Sequence, residues 1–361
     1  MKKFFIVLII FVFVMGCSEN NKPTQTQTLF VGTYTDGSSE GIYTLQFNPE
    51  TGELDSLELK AKLPNPSFLA ISKDKKNLFA VQETAHYDSL GGGVTSFSID
   101  KGELKVLNSK GSAGAHPCHV AISEDGQIAV SNYSGGNLAI FDLQEDGSLG
   151  DRQIIYHRTA DTLAKPHVHK AHFNEDGLFV ADLGLDALKR YSKQTYGWVP
   201  AHQNTIAMGK GSGPRHFVFS ENRNYLYVLN ELNATISVLK RDDEGSYNQI
   251  QTESTNDDPK WCADIHLSAD GKFLYSSNRG KNTIVIFSVD TENGKIILVG
   301  SESTKGNSPR NFTLDPSGKF VLVGNQKSDN IAVFKRDLEK GTLEFLKEYK
   351  VPSPVCLVFT D

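Results

Sequence analysis

Short apolar runs ending on a polar residue recur along the chain at a near-constant interval. The runs are Leu29–Tyr34, Leu78–Thr84, Ile128–Tyr133, Leu178–Leu183, Tyr225–Glu231, Phe273–Arg279 and Phe320–Gln326. With Thr33, Glu83, Asn132, Asp182, Asn230, Asn278 and Asn325 as equivalent positions, the separations are 50, 49, 50, 48, 48 and 47 residues. So steady a period in β-type sequence predicts an all-β, seven-bladed β-propeller with one blade per repeat.

The third repeat shows the unit. Cys118–Ser123 alternates into a first strand, and Glu124-Asp125-Gly126 is a hairpin turn. Gln127–Tyr133 is the second strand, Asn137–Leu143 the third, and Ser148–Tyr156 the fourth. Four antiparallel strands therefore make a blade. The Asp-Gly or Ser-Gly turn returns at Asp176-Gly177, Asp270-Gly271 and Ser317-Gly318. The chain enters the repeat at a second-type strand and its last strand segment, Ser353–Phe359, resembles the first-type strands. The C-terminal strand is thus expected to pair with the N-terminal one, closing the ring and removing the open sheet edge.

Residues 1–16 lie outside this pattern. Lys2 and Lys3 precede an apolar run from Phe4 to Val14, then Met15, Gly16 and Cys17. A basic flank, a short apolar core and a small residue before a cut read as a secretory signal. The run is shorter than the ~20 residues of a membrane-spanning helix. Val-Met-Gly-Cys resembles a lipobox, which makes Cys17 the lipidated residue of an envelope lipoprotein; simple secretion and an uncleaved anchor are the alternatives. Residues 17–28 read as a polar tether, and 29–361 as the propeller.

Net charge is −6 and the basic residues are not clustered, so nucleic acid is not an expected partner. Contact with a membrane is expected only through Cys17, and the protein is expected to be a monomer. Cys118, Cys262 and Cys356 fall on equivalent strands and read as small buried residues. No C-x-x-C, G-x-S-x-G or H-E-x-x-H occurs, and the acidic ligands of a metal-dependent lactonase are not evident. Neither metal nor cofactor is expected.

In a propeller the start of each first strand and the end of each second strand meet at one mouth of the central channel. One ring there holds Ser67, Cys118, His167, Arg215, Arg310 and Val355, each after a proline, with Trp261, Cys262 and Ala263 filling the place in the sixth blade. The other holds Tyr34, Thr84, Tyr133, Leu183, Glu231, Arg279 and Gln326. Three neighbouring blades stand out: His167 with His169, then Arg215 with Glu231, then Arg279. The bland alternatives are a salt-bridged loop arginine and a hydrogen-bonded turn histidine. Gly209–Gly213 could cradle a phosphate but resembles the repeat loops at Lys110–Gly114 and Lys305–Ser308. Asp182 and Asp186 could hold a cation, but Asp182 sits where other blades carry a backbone-bonding Asn.

Several segments together resemble the seven-bladed propeller lactonase family, which includes bacterial 6-phosphogluconolactonases and fungal carboxy-cis,cis-muconate cyclases. They include Val31-Gly32-Thr33-Tyr34-Thr35, His116-Pro117-Cys118-His119-Val120, Pro166-His167-Val168-His169, Gly213-Pro214-Arg215-His216-Phe217, Leu229-Asn230-Glu231-Leu232, Ser277-Asn278-Arg279-Gly280 and Pro309-Arg310-Asn311-Phe312. The resemblance implies a catalytic set of His167, Arg215, Glu231 and Arg279, with His169, Tyr133, Arg310 and Gln326 binding substrate. His169 rivals His167, because counting back from the turn aligns His169 with Arg215. The implied reaction is hydrolysis of a small-molecule sugar lactone by metal-free acid–base chemistry. Two other readings stay open: a lactonizing cyclase, and an envelope-anchored binding or scaffold propeller. A scaffold would expose patches on its blade edges, whereas an enzyme would concentrate charge at the mouth.

Overall fold

The computed structural model describes residue 1 and residues 26–158, 163–255 and 261–360. Seven four-stranded antiparallel sheets follow one another along the chain. The first is composite: Pro354–Phe359 pairs with Gln27–Thr33, setting Leu29 opposite Phe359 and Val31 opposite Leu357. The two ends of the chain thus share one blade, as the offset of the repeat predicts. Cys17 and the basic and apolar run read as a secretory signal lie outside the described residues, Met1 excepted. Among the described residues no helix is long and apolar enough to cross a membrane.

The burial of each strand follows its distance from the axis. Second strands such as Tyr225–Asn230 and Phe273–Asn278 are buried along their whole length, because a blade packs on both faces. They therefore read as unbroken apolar runs instead of alternating ones. The outermost strands, for example Leu343–Lys350, are mostly exposed. Between blades two and three, Phe79, Val81 and Val94 pack against Val120, Val130 and Phe141. Between blades seven and one, Leu322 and Val333 pack against Val31, Leu45 and Leu357. The inter-strand turns carry the expected glycines, with φ +80° at Gly126 and +70° at Gly271.

One equivalence moves. The second strand of blade two ends at Gln82, which pairs with Gly93 as Asn132 pairs with Asn137. The Glu83 amide donates to the Asn65 carbonyl at 3.0 Å, and the Glu231 amide donates likewise to Gly213 at 2.8 Å. Gln82 is therefore the repeat position and Glu83 the mouth residue, displacing Thr84. Both residues are polar, so the period alone could not choose between them.

A bulge near the start of most first strands builds the mouth. Pro214 pairs with Asn230 and His216 with Leu229, which leaves Arg215 unpaired between them. Cys118 and Arg310 are left out in the same way after Pro117 and Pro309. Proline cannot donate to the ladder, and an extra residue beside it re-aims its side chain. In blade four Val168 pairs with Asp182, so His169 and not His167 is the equivalent of Arg215.

Candidate active site

The mouth gathers charge from blades two, five, six and seven. Arg215 is buried, and its Nε meets Glu231 Oε2 at 3.0 Å. Its Nη1 also donates to the Ala263 carbonyl. Arg279 Nη2 meets Glu231 Oε1 at 2.7 Å, and its Nε donates to the Trp261 carbonyl at 3.3 Å. Glu231 thus holds one guanidinium with each carboxylate oxygen. Burial, with repulsion from Arg279 and Arg310, draws the Arg215 pKa down to about 10 despite Glu231, so the side chain stays charged near neutrality.

Tyr133 links this array to the histidines. Its ring stacks on His167, with centroids 4.5 Å apart at 18°, and meets His169 edge-on at 5.9 Å. Burial and then the charge of Glu231 push its phenol pKa up. The His167 amide donates to Asp182 Oδ1 at 2.9 Å, and its Nδ1 lies 3.1 Å from the Tyr133 carbonyl. A carbonyl can only accept, so Nδ1 carries a hydrogen, and in the neutral ring the lone pair falls to Nε2. His169 lies deeper and is buried, and its Nδ1 has no partner among the described residues. Burial, reinforced by Arg215, holds its pKa well below the usual histidine value, so it is a neutral imidazole.

Arg310 lies over the Tyr34 ring, 5.3 Å from its centroid. Gln326 is half-buried at the rim, at the start of a short 3₁₀ turn, Gln326–Ser328. Below the mouth the channel narrows to a void of about 10 Å³, bounded in part by Ser67, Cys118, Arg215, His216 and Arg310. That is room for about one water, so the mouth is a cup with a nearly closed floor. Under it, His216 Nδ1 bonds Asp264 at 2.7 Å and His266 Nε2 bonds the other Asp264 oxygen at 3.0 Å. Burial opposes the Asp264 charge, but His266 and His216 outweigh it and hold its pKa well below the usual carboxylate value.

Two candidate features serve the backbone. The amides of Gly211 and Gly213 donate to Asp186 at 2.7 and 2.8 Å, so the glycine stretch caps a carboxylate instead of cradling a phosphate. Asp182 accepts the amides of His167 and Leu185 and bonds buried His157 at 2.7 Å. Among the described residues no group of three His, Cys, Asp or Glu side chains is placed to hold a metal ion. Cys118, Cys262 and Cys356 are buried.

Sequence reasoning missed Glu83 and the deep Asp264 network. A signal for Glu83 was available: Gln82 follows Pro66 by sixteen residues, as Asn230 and Asn325 follow Pro214 and Pro309. Two larger clefts, of about 640 and 660 Å³, open between blades beside the inter-strand turns. In the second, Lys193 pairs with Asp125, and Arg223 with Glu175 and Asp176, so its principal charges are already paired. The unspent chemistry is at the mouth.

Residues 28–359 match the family model described as Lactonase, 7-bladed beta-propeller. The 6-phosphogluconolactonase of Bacillus subtilis (strain 168) is 35% identical over 346 residues, covering 91% of this chain and 97% of its own. A 6-phosphogluconolactonase of Formosa agariphila is 38% identical, covering 89% of this chain and 95% of its own. Among solved structures, the periplasmic gluconolactonase PpgL of Pseudomonas aeruginosa superposes with a TM-score of 0.88 at 33% identity. That likeness covers 93% of this chain and 99% of PpgL.

Proposed function

The chain belongs to the seven-bladed β-propeller lactonase family, and from that premise we propose that it hydrolyses a sugar lactone at the mouth of its channel. The observation that carries this reading is the Arg215–Glu231–Arg279 array beside His167, whose Nδ1 is turned to the Tyr133 carbonyl. A lactone is a cyclic ester whose carbonyl oxygen becomes negative when water attacks. Arg215 and Arg279 supply fixed positive charge for that oxyanion. Glu231 holds both guanidiniums in place, so little reorganisation is needed as charge develops. His167 Nε2 takes the proton from water and returns it to the ring oxygen as the C–O bond breaks, giving the open hydroxy acid. Glu231 could share the base role only by loosening a guanidinium. His169, Tyr133, Arg310 and Gln326 would contact the rest of the ring. No step calls on a metal or a cofactor.

The basic and apolar leader ending at Cys17 supports an envelope location through a lipid anchor. A lactone met there is more readily an unphosphorylated aldonolactone than a cytoplasmic sugar phosphate. The test is loss of gluconolactone and of 6-phosphogluconolactone above spontaneous hydrolysis, using the mature protein. Acceleration of at least one supports the enzyme. A folded sample that accelerates neither favours a binding or scaffold role, and net ring closure from the open acid would favour a cyclase.

A further inference from the structure

Two of the three mouth arginines share one glutamate, but Arg310 does not. Its guanidinium makes no hydrogen bond or ion pair among the described residues, although it lies over Tyr34 and lines the floor of the cup. Glu83, the blade-two counterpart of Glu231, is its complement. Glu83 Oε2 accepts from the Tyr34 hydroxyl at 2.8 Å and from Ser67 Oγ. Its Oε1 takes no hydrogen bond among the described residues, whereas both oxygens of Glu231 are engaged. Burial lowers the Arg310 pKa, but Tyr34 and Glu83 outweigh it, which places the two charges within each other's field. Arg310 and Ser67 bound the same void and Ser67 bonds Glu83, so a cation and a carboxylate oxygen lie together at the mouth with no ion pair between them among the described residues. Unused charged groups in such a space are costly unless a ligand satisfies them.

The ligand that satisfies both must donate and accept. A hydroxyl does both, so two adjacent hydroxyls can give to Glu83 and receive from Arg310. A phosphate would satisfy Arg310 alone and set its charge against Glu83. We propose that Glu83 and Arg310, steadied by Tyr34 and Ser67, form a recognition half-site for vicinal hydroxyls of an uncharged polyol lactone. The half-site lies across the mouth from the array that handles the ester. The inference rests on the lactonase reading only in placing a ring between the two halves.

Calorimetric titration with gluconolactam reads the half-site without turnover, since the lactam keeps the ring hydroxyls and resists hydrolysis. The wild type should bind it, and Glu83→Gln and Arg310→Met should each weaken binding at least about tenfold, because a charge-assisted bond is lost. δ-Valerolactam, a ring without hydroxyls, should bind the wild type at least about tenfold more weakly than gluconolactam. The ratio of kcat/KM for gluconolactone over δ-valerolactone should fall about tenfold or more in Glu83→Gln. Urea unfolding establishes that each variant is folded; if Glu83→Gln is not, Arg310→Met carries the test. No binding by the wild type, or equal binding by wild type and a folded variant, overturns the half-site. Gluconolactam binding that depends on Glu83, in a protein that opens no lactone, would sustain the half-site while the lactonase reading fell. Lactone hydrolysis indifferent to both variants would do the reverse.

Discussion

Arg215 is a buried cation held by Glu231, the Ala263 carbonyl and little else. Such a residue suits reaction better than stability, because taking a guanidinium out of water offsets most of what its ion pair returns. Because Arg279 still pairs with Glu231, Arg215→Met leaves no carboxylate unpaired and should unfold within about 1–2 kcal/mol of the wild type in urea. Its kcat/KM on a hydrolysed lactone should nevertheless fall at least about 100-fold. His119 makes a different case. It is buried against Phe68, with ring centroids 4.1 Å apart, and burial holds its pKa well below the usual histidine value. Above the unfolded value near ~6.5 both states are neutral and the ring contributes no pH dependence. As pH falls below that value the unfolded state takes a proton that the folded ring refuses, so stability drops until the folded pKa is reached. The slope is up to about 1.4 kcal/mol per pH unit for each such histidine. His119→Phe should flatten the acid limb of a stability–pH curve between pH ~6.5 and ~5 and leave stability near pH 8 little changed.

At the scale of strands, closure of the ring is the element most open to test. Leu357 lies on the closing strand and is buried with Leu29, Val31 and Leu45. Leu357→Ala should cost about 2–4 kcal/mol in urea unfolding and raise hydrogen exchange along Gln27–Thr33. Leu346→Ala, on an outer strand at 40% exposure, should stay within about 0.5 kcal/mol. The strands themselves were legible in the sequence. In blade three the expected boundaries lie within a residue of those observed, because Asp125-Gly126 and Ser134-Gly135-Gly136 punctuate strands of regular length. The bulge was not legible, since it is a property of pairing between strands. Counting back from the turn aligns His169 with Arg215 from sequence alone, although His167 is the residue that follows the proline, and Glu83 passes for a repeat position because Gln82 beside it is equally polar. Only register shows that Pro214 faces Asn230 and pushes Arg215 out.

At the scale of the whole ring, the repeat makes a symmetric frame, and function is written in its departures. Glu83 and Glu231 occupy equivalent positions in blades two and five, yet one meets a tyrosine and a serine and the other two arginines. Under the proposed function, one frame carries a half-site that reads hydroxyls and a half-site that stabilises an oxyanion. The mouth concentrates these charges, while surface ion pairs such as Lys73 with Glu124 are exposed and add little stability. The most direct test of the central claim is acid release from gluconolactone, followed in a pH-stat with the folded mature protein and its Glu231→Gln variant. The account predicts hydrolysis well above the spontaneous rate for the wild type and a loss of at least about 100-fold in kcat/KM for the variant. A folded Glu231→Gln protein that retained the full wild-type rate would contradict it.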